Sequence, residues 1–306
     1  MYNAETKQRF IDFIDIEKYP NMYWNRVFKD SEELEDLYGI DLYDFSKKDI
    51  LTFYKFLDSR SFDTLRVINI NLSKYSQWAL QEGLVNDGQN HFSEISTEEI
   101  QSCVSMLSLR RSIVTKDEVM SIVRALANKQ DSFIILASFE GLNAHEITEA
   151  NINDLDFKTL EFTTKSGRKV KFSKDLAIIA TEASQAVTYT YSNERISLST
   201  KTLYGAPGDI YKDVRVNVHR DRRILNLRRT YERLRGELGI EPKITLNTII
   251  VSGLIHTINE FAKNDNISTR EVVENDVYLR FLENQYGFNY SAKKTFFIKY
   301  DEFLSK

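Results

Sequence analysis

The chain has 306 residues and a mass of 35.7 kDa, about twice the usual size of one domain. Hydrophobic residues make up 42% of it and aromatic residues 12%, which is enough for packed cores and excludes a disordered or fibrous protein. The single cysteine, Cys103, excludes an intrachain disulfide, and the four histidines are scattered, so we expect neither a metal site nor a cofactor. The sequence has no signal-peptide core and no apolar run long enough to span a membrane, which predicts a soluble, cytoplasmic protein.

Charge is distributed unevenly, although the net charge is only -4. Residues 1–50 are acidic, with seven Lys or Arg and twelve Asp or Glu. Residues 158–174 are basic, with six Lys or Arg and one acidic residue, and so are residues 199–235, with ten Lys or Arg and four acidic residues. Two separate basic segments in one half of an acidic protein favour a surface that binds a polyanion. The alternative for each segment is an ordinary solvated face.

The first half of the chain reads as helical. Residues 1–45 are interpreted as an acidic N-terminal helical extension, and residues 46–110 as a helical core-binding domain that contains a helical hairpin over 46–83. Ser46 with Asp49 has the pattern of a capping box, and Gly83 is suited to end the second helix. Apolar residues recur along that helix at helical spacing, at Leu65, Ile68, Leu72, Tyr75 and Ala79. We place the domain boundary at residues 109–112.

Residues 113–306 are interpreted as a second domain that mixes helices with a β-hairpin. Thr115 and Glu118 predict the start of a helix over 116–127, followed by helices at 131–139 and through Ile147. Apolar and polar residues alternate over 155–172 around Ser166-Gly167, which predicts a β-hairpin. Further helices are predicted at 222–238, 246–262, 268–285 and 291–304. The first of these is predicted to bury Ile224, Leu227, Tyr231, Leu234 and Leu238.

Four segments carry a resemblance when they are taken in order. Residues 140–156, EGLNAHEITEANINDLD, contain Gly141, Leu142, Glu146, Ile147, Leu155 and Asp156 at the spacing of the first catalytic box of the tyrosine recombinase (phage integrase) family. The hairpin from Lys165 to Ser173, residues 237–252 and residues 286–297 resemble the later boxes. The resemblance spans roughly residues 46–297. It implies a mainly α fold with a small β-hairpin sheet, in which a core-binding domain and a catalytic-like domain form a two-domain clamp around DNA.

The departures from the family pattern concern its catalytic residues. Where the family has two arginines, two histidines and a tyrosine nucleophile, this chain has Asn143, Asn247, Ile250, Phe288 and Phe297. Only the lysine, Lys165, persists. Strand exchange needs cations and donors where charge develops in the transition state, and a hydroxyl that bonds to phosphorus. We therefore expect no enzymatic activity. Tyr300, three residues after Phe297, is the candidate nucleophile of the alternative reading, an unorthodox recombinase.

A scaffold without catalysis can still bind double-stranded DNA. The expected function is that of a sequence-specific transcriptional regulator, such as a phage or prophage repressor that maintains lysogeny; repressors of the SPbeta type resemble this design. An antirepressor is a possible protein partner, and a recombinase-interacting decoy is a further alternative. The candidate phosphate contacts are Lys165, Arg168, Lys169 and Lys171 in the hairpin, Arg222, Arg223, Arg228 and Arg229 in the basic helix, and Arg110 and Arg111 at the boundary. The candidate base-reading surface of the first domain is Arg66, Asn69, Asn71 and Lys74.

Overall fold

The structure, a computed structural model, describes residues 1–14, 21–192, 198–289, 291 and 293–304. These residues divide into two compact units, Met1–Arg110 and Arg111–Lys306. The described residues are mainly helical and form two small antiparallel sheets, which confirms the predicted fold class. Within the part of the chain that the structure describes, no helix is both long enough and apolar enough to cross a membrane.

The described residues of the first unit form helices and no strand. The α-helices are α1 (Ala4–Phe13), α2 (Asn21–Tyr38), α3 (Lys47–Phe56), α4 (Phe62–Gln81), α5 (Thr97–Ser102) and α6 (Met106–Arg110). The predicted hairpin is confirmed as α3 and α4. Ser46 and Asp49 form the predicted capping box, in which each side chain accepts a hydrogen bond from the other residue's backbone N–H. Gly83 has a φ of 69°, the left-handed conformation that glycine adopts without strain just after a helix.

Residues 1–45 share the core of the first unit. The ring of Phe10 in α1 contacts Trp24 in α2 and Tyr75 in α4, each at 4.9 Å between ring centroids. Lys7 and Glu35 form an ion pair in which both side chains are fully buried. Deep burial of an ion pair requires a complete set of partners, and Glu35 also accepts from the backbone N–H of Leu42 at 3.0 Å. The acidic segment is therefore a structural part of this unit.

The second unit contains nine helices among its described residues. The helices are α7 (Lys116–Ala125), α8 (Lys129–Phe139), α9 (Ala144–Glu149), α10 (Lys174–Gln185), α11 (Arg220–Glu237), α12 (Leu246–Asp265), α13 (Thr269–Glu274), α14 (Asp276–Tyr286) and α15 (Lys293–Tyr300). The helix predicted over 268–285 is interrupted at Asn275, whose side chain caps the start of α14. Helix α10 was not predicted.

Helix α8 is the centre of the second core. Residues 130–139 are all buried, and α8 packs against α7, α10 and α12. Gly253 in α12 permits the close approach of α12 to α8, because a Cβ atom at this position would collide with the carbonyl oxygen of Phe139. The turn after α8 passes through Gly141 at a φ of 102°, and this turn leads directly into α9. These two glycines fix the position of α9, which carries part of the candidate site.

The predicted β-hairpin is confirmed as the outer part of a three-stranded sheet. Its strands are β1 (Leu155–Asp156), β2 (Glu161–Thr163) and β3 (Lys169–Lys171), in the order β1-β2-β3. Phe162 pairs with Val170 on the buried face, which leaves Lys169 and Lys171 on the exposed face. A second hairpin, β4 (Thr188–Ser192) with β5 (Leu198–Thr202), was not predicted.

Candidate nucleic-acid interface

An open cleft of about 380 Å³ lies where the β2–β3 turn meets the beginnings of three helices. We call it the asparagine cleft. Its lining contains the predicted residues Asn143, Lys165, Arg228 and Asn247 together with Arg220, which the sequence reasoning did not single out. The remaining residues of the lining are Ala144, His145, Glu146, Glu149 and Ser166. The structure therefore brings together positions that are up to 104 residues apart in the chain.

Helix beginnings give the asparagine cleft an electrostatic preference for anions. Asn143 caps α9, and its side-chain oxygen accepts from the backbone N–H groups of His145 and Glu146 at 2.9 and 3.1 Å. Arg220 is the first residue of α11, and Asn247 lies in the first turn of α12. The N-terminal end of a helix carries a partial positive charge, which favours phosphate, although the Asn143 side chain already accepts from two N–H groups of α9.

The cations of the asparagine cleft are solvent-exposed. Lys165 Nζ lies 2.7 Å from Asp154, and Arg220 Nε lies 2.6 Å from Glu149. Exposed ion pairs of this kind contribute about 0–1 kcal/mol to the stability of a protein. Lys165 and Arg220 can therefore exchange a carboxylate partner for a DNA phosphate at little cost. Among the residues that the structure describes, the exposed Arg228 guanidinium forms no ion pair.

Arg168 was predicted to contact phosphate, but the structure uses its guanidinium inside the protein. Its Nε and Nη2 donate to the two carboxylate oxygens of Glu146, and Nη2 also donates to the carbonyl of Gly141 at 2.8 Å. Its Nη1 donates to the carbonyls of Asn284 and Gln285 at 2.8 and 2.7 Å. Only 16% of the side chain is exposed. Arg168 therefore joins the hairpin turn to α9 and α14, and it has no free donor for DNA.

The other hairpin lysines remain on the surface. Lys169 donates to Glu161 at 2.7 Å, and this hydrogen bond raises the pKa of Lys169. The ammonium group of Lys171 donates to the carbonyl oxygen of Thr159. Both contacts are exposed, so the role predicted for Lys169 and Lys171 in DNA binding stays a prediction.

The positions that replace the family's catalytic residues separate into two groups. Asn143 and Asn247 line the asparagine cleft. Phe288 is buried and packs on Phe296 at 5.3 Å, while Ile250 and Phe297 are half-buried. Among the described residues that line the cleft, the only hydroxyl belongs to Ser166, which is hydrogen-bonded to Thr164 at 2.9 Å.

Tyr300 is the candidate nucleophile of the alternative interpretation, an unorthodox recombinase. In the structure its side chain packs in a core. Its side chain is buried against Phe296, with ring centroids 5.1 Å apart, and it contacts Phe303. It is not part of the lining of the asparagine cleft. In this structure Tyr300 is a core residue of the C-terminal segment.

The arginines of α11 are divided between different environments. The helix buries Ile224, Leu227, Tyr231 and Leu234 as predicted, but Leu238 is 37% exposed because α11 ends at Glu237, so its predicted burial was wrong. Arg223, which was predicted to contact DNA, points inward and lies 3.3 Å from the buried Asp213. Arg222 and Arg229 are exposed, and among the described residues they form no ion pair.

In the first unit, the predicted base-reading surface is only partly exposed. Asn71 is 2% exposed, and its amide donates to the Tyr23 hydroxyl at 2.8 Å, so the prediction that it reads bases was wrong. Asn69 is half-buried and accepts from the Tyr54 hydroxyl at 2.6 Å. Of this surface, Arg66, which pairs with Asp63, and Lys74 are exposed. The predicted phosphate contacts at the boundary, Arg110 and Arg111, are exposed as well.

Comparison with known proteins agrees with this architecture. Residues 1–81 match the family described as "MrpR, N-terminal core-binding domain", and residues 113–304 match "MrpR, C-terminal catalytic domain". A Bacillus subtilis (strain 168) protein, described as "SPbeta prophage-derived uncharacterized protein YopR", is 24% identical over 283 residues, which cover 89% of this chain and 79% of that protein.

The solved structures that match most of this chain include two recombinases. XerA recombinase matches with a TM-score of 0.41 and 14% identity over 96% of this chain and 92% of its own. A lambda integrase dimer bound to a COC' core site matches with a TM-score of 0.43 and 15% identity, over 86% of this chain and 90% of the integrase chain. On the match of both its domains, the chain belongs to the MrpR family of tyrosine-recombinase-like proteins.

Proposed function

We propose that this protein is a sequence-specific regulator that binds double-stranded DNA, without strand exchange, and acts as a prophage repressor that maintains lysogeny. The observation that carries the proposal is the composition of the asparagine cleft. It retains Lys165 and two arginines beside three helix beginnings, and it has asparagine where the chemistry of the fold needs charged groups.

The groups in the asparagine cleft are suited to holding a phosphate rather than cleaving its ester. Asn143 and Asn247 supply neutral amide donors, which position a phosphate but do not balance the charge of a pentavalent transition state. A tyrosine at position 297 would supply a nucleophile, whereas phenylalanine has no oxygen. The loss of catalysis leaves the phosphate contacts, which supply most of the affinity of DNA-binding proteins.

Repression follows from stable binding in a prophage setting. A protein that occupies its DNA site without cutting it blocks the transcription machinery there. The Bacillus relative is described as derived from the SPbeta prophage, and a prophage needs a bound repressor to remain silent. In this proposal, sequence is read by base-edge contacts, for which the exposed part of the Arg66 and Lys74 surface is the candidate, and an antirepressor would relieve the binding.

The test begins with selection of bound sequences from a randomised duplex pool, followed by titration of the selected duplex at several salt concentrations. We expect affinity to fall steeply with salt, because phosphate contacts release counterions. Arg228→Ala should weaken binding and lower the salt slope by about one, at unchanged thermal stability. Lys165→Ala should do the same.

The matched control is Arg124→Ala, which removes an equal charge from an exposed position of α7 outside the asparagine cleft. Equal losses in Arg124→Ala and Arg228→Ala would contradict the assignment of the cleft, and binding that ignores both sequence and salt would contradict the function. A covalent protein–DNA adduct on a suicide substrate, abolished by Tyr300→Phe, would establish the recombinase reading instead.

A further inference from the structure

A second cleft lies on a different side of α11 from the asparagine cleft. At 100° per residue, Arg222 and Arg229 lie about 20° apart on the side of α11 opposite the buried Leu227 and Tyr231. Arg228 lies about 100° away from Arg229, and Arg220 is in line with the buried face at the start of the helix. The second cleft has a volume of about 200 Å³, and we call it the tyrosine cleft. It is lined by Gln130, Tyr189, Tyr191, Tyr211, Lys212, Asp213, Val214, Arg215, Arg222, Asn226, Arg229 and Thr230.

The tyrosine cleft carries an excess of positive charge. Its one carboxylate, Asp213, is already neutralised by Arg223 at 3.3 Å and accepts from the Asn226 amide at 2.9 Å. The Lys212 ammonium donates to two backbone carbonyls at 2.6 and 2.7 Å. The remaining cations of the lining are Arg215, Arg222 and Arg229, and none of them forms an ion pair with a residue in the described ranges.

The hydroxyl of Tyr211 also borders the tyrosine cleft. Tyr211 is 2% exposed, and its hydroxyl has no hydrogen bond to any residue whose placement the structure describes. Burial raises the pKa of Tyr211, so the phenol stays protonated and remains a donor at neutral pH. Tyr189 differs, because its hydroxyl donates to the buried Asp131 at 2.5 Å.

We propose that the tyrosine cleft binds a small phosphorylated molecule that carries a planar ring. Arg222 and Arg229 are seven residues apart on one face of α11, about 10 Å along the axis, so their guanidinium groups can approach a phosphate from two sides. The Tyr191 ring and the hydroxyl of Tyr211 provide an aromatic wall and a donor. A cleft of this volume holds several water molecules, which matches a phosphate with a ring but not a DNA duplex.

Isothermal titration of the full chain with phenyl phosphate, at constant ionic strength, tests the proposal independently of DNA binding. We expect saturable binding, weaker binding of inorganic phosphate, and no binding of phenol. Arg222→Ala and Arg229→Ala should each lower the affinity for phenyl phosphate about tenfold or more, since each removes a charge-assisted contact. Arg124→Ala, an equal loss of charge outside the cleft, should leave that affinity unchanged.

Tyr211→Phe gives a second readout that a purely structural role would not produce. It should lower the affinity severalfold while the thermal stability of the free protein is unchanged, because this hydroxyl forms no hydrogen bond with any described residue. Tyr231→Phe is the matched comparison: its hydroxyl donates to the carbonyl of Ile244 at 2.9 Å, so this variant should lose stability. Absence of phenyl phosphate binding at millimolar concentration would overturn the proposal. Arginine variants that weaken only duplex binding would overturn it as well and assign these arginines to DNA.

Discussion

The sharpest test of how the hairpin is used is the replacement of Arg168 by methionine. This change keeps most of the side-chain volume but removes the cation, so it leaves the carboxylate of Glu146, which is 11% exposed, without its partner. It also leaves three backbone carbonyls without the donors they have in the structure. The sequence pattern suggested a DNA contact for Arg168, whereas the structure indicates that its removal should damage the fold.

The size of the effect follows from the burial of this ion pair. Breaking a fully buried pair by removal of one partner costs about 3–5 kcal/mol. Arg168 and Glu146 retain 16% and 11% exposure, so we expect the lower end, about 3 kcal/mol. For a unit of this size, each kcal/mol lowers the melting temperature by about 2–4 °C. Arg168→Met should therefore melt roughly 6–12 °C below the unchanged protein.

The assay is thermal unfolding of the full chain, with Lys169→Met as the neighbouring control. Lys169 is 61% exposed and pairs with the exposed Glu161, so its loss should change stability by no more than about 0.5 kcal/mol. Combining Arg168→Met with Glu146→Gln should recover part of the loss, because no carboxylate is then left uncompensated. A melting temperature for Arg168→Met within about 2 °C of the unchanged protein, together with weaker DNA binding, would refute the structural role.

Three other expectations concern single positions. Phe297→Tyr should yield no covalent adduct with a suicide DNA substrate, because the arginine and histidine positions of the fold remain uncharged. Asn71→Ala should lower the melting temperature and leave the sequence preference for DNA unchanged, since the amide bonds to a buried tyrosine rather than to a base. Burial raises the pKa of Glu140 to about 7, so the folded state binds a proton that the unfolded state releases between about pH 4.5 and 7. Stability should fall as pH rises through that window, and Glu140→Gln should make this pH dependence weaker in unfolding titrations.

Local signals in the sequence were sufficient for the elements that stabilise themselves. The capping boxes at Ser46 and Thr115 are formed as predicted, because their hydrogen bonds join residues only three positions apart. The same holds for Gly83, and for the alternation that places Phe162 and Val170 on the buried face of the sheet. Each of these patterns is determined within a few residues of the chain.

The errors arose where distant residues decide the environment. Asn71 lies beside the apolar stripe of α4 and has the composition of a surface position, but Tyr23 in α2 covers it. Strand β4 was missed although Thr188–Ser192 alternates threonine with tyrosine, two residues that favour strands, and Tyr189 is buried where it donates to the distant Asp131. Arg223 was predicted to contact DNA because only two acids, Asp221 and Glu232, are nearby in sequence, yet Asp213 pairs with it from the preceding loop.

The surface role of α11 cannot be inferred from its number of arginines. A helix with arginines on several faces has no single basic surface, and the acidic residues of neighbouring elements determine which guanidinium groups stay available. Asp213 pairs with Arg223 and Asp131 lies near Arg233, so these two arginines hold α11 against the core, whereas the pair of Arg220 with Glu149 is exposed. The exposed and unpaired arginines belong to two separate clefts. The asparagine cleft and the tyrosine cleft therefore use different arginines of one helix. Single substitutions along α11 can distinguish the functions proposed for the two clefts.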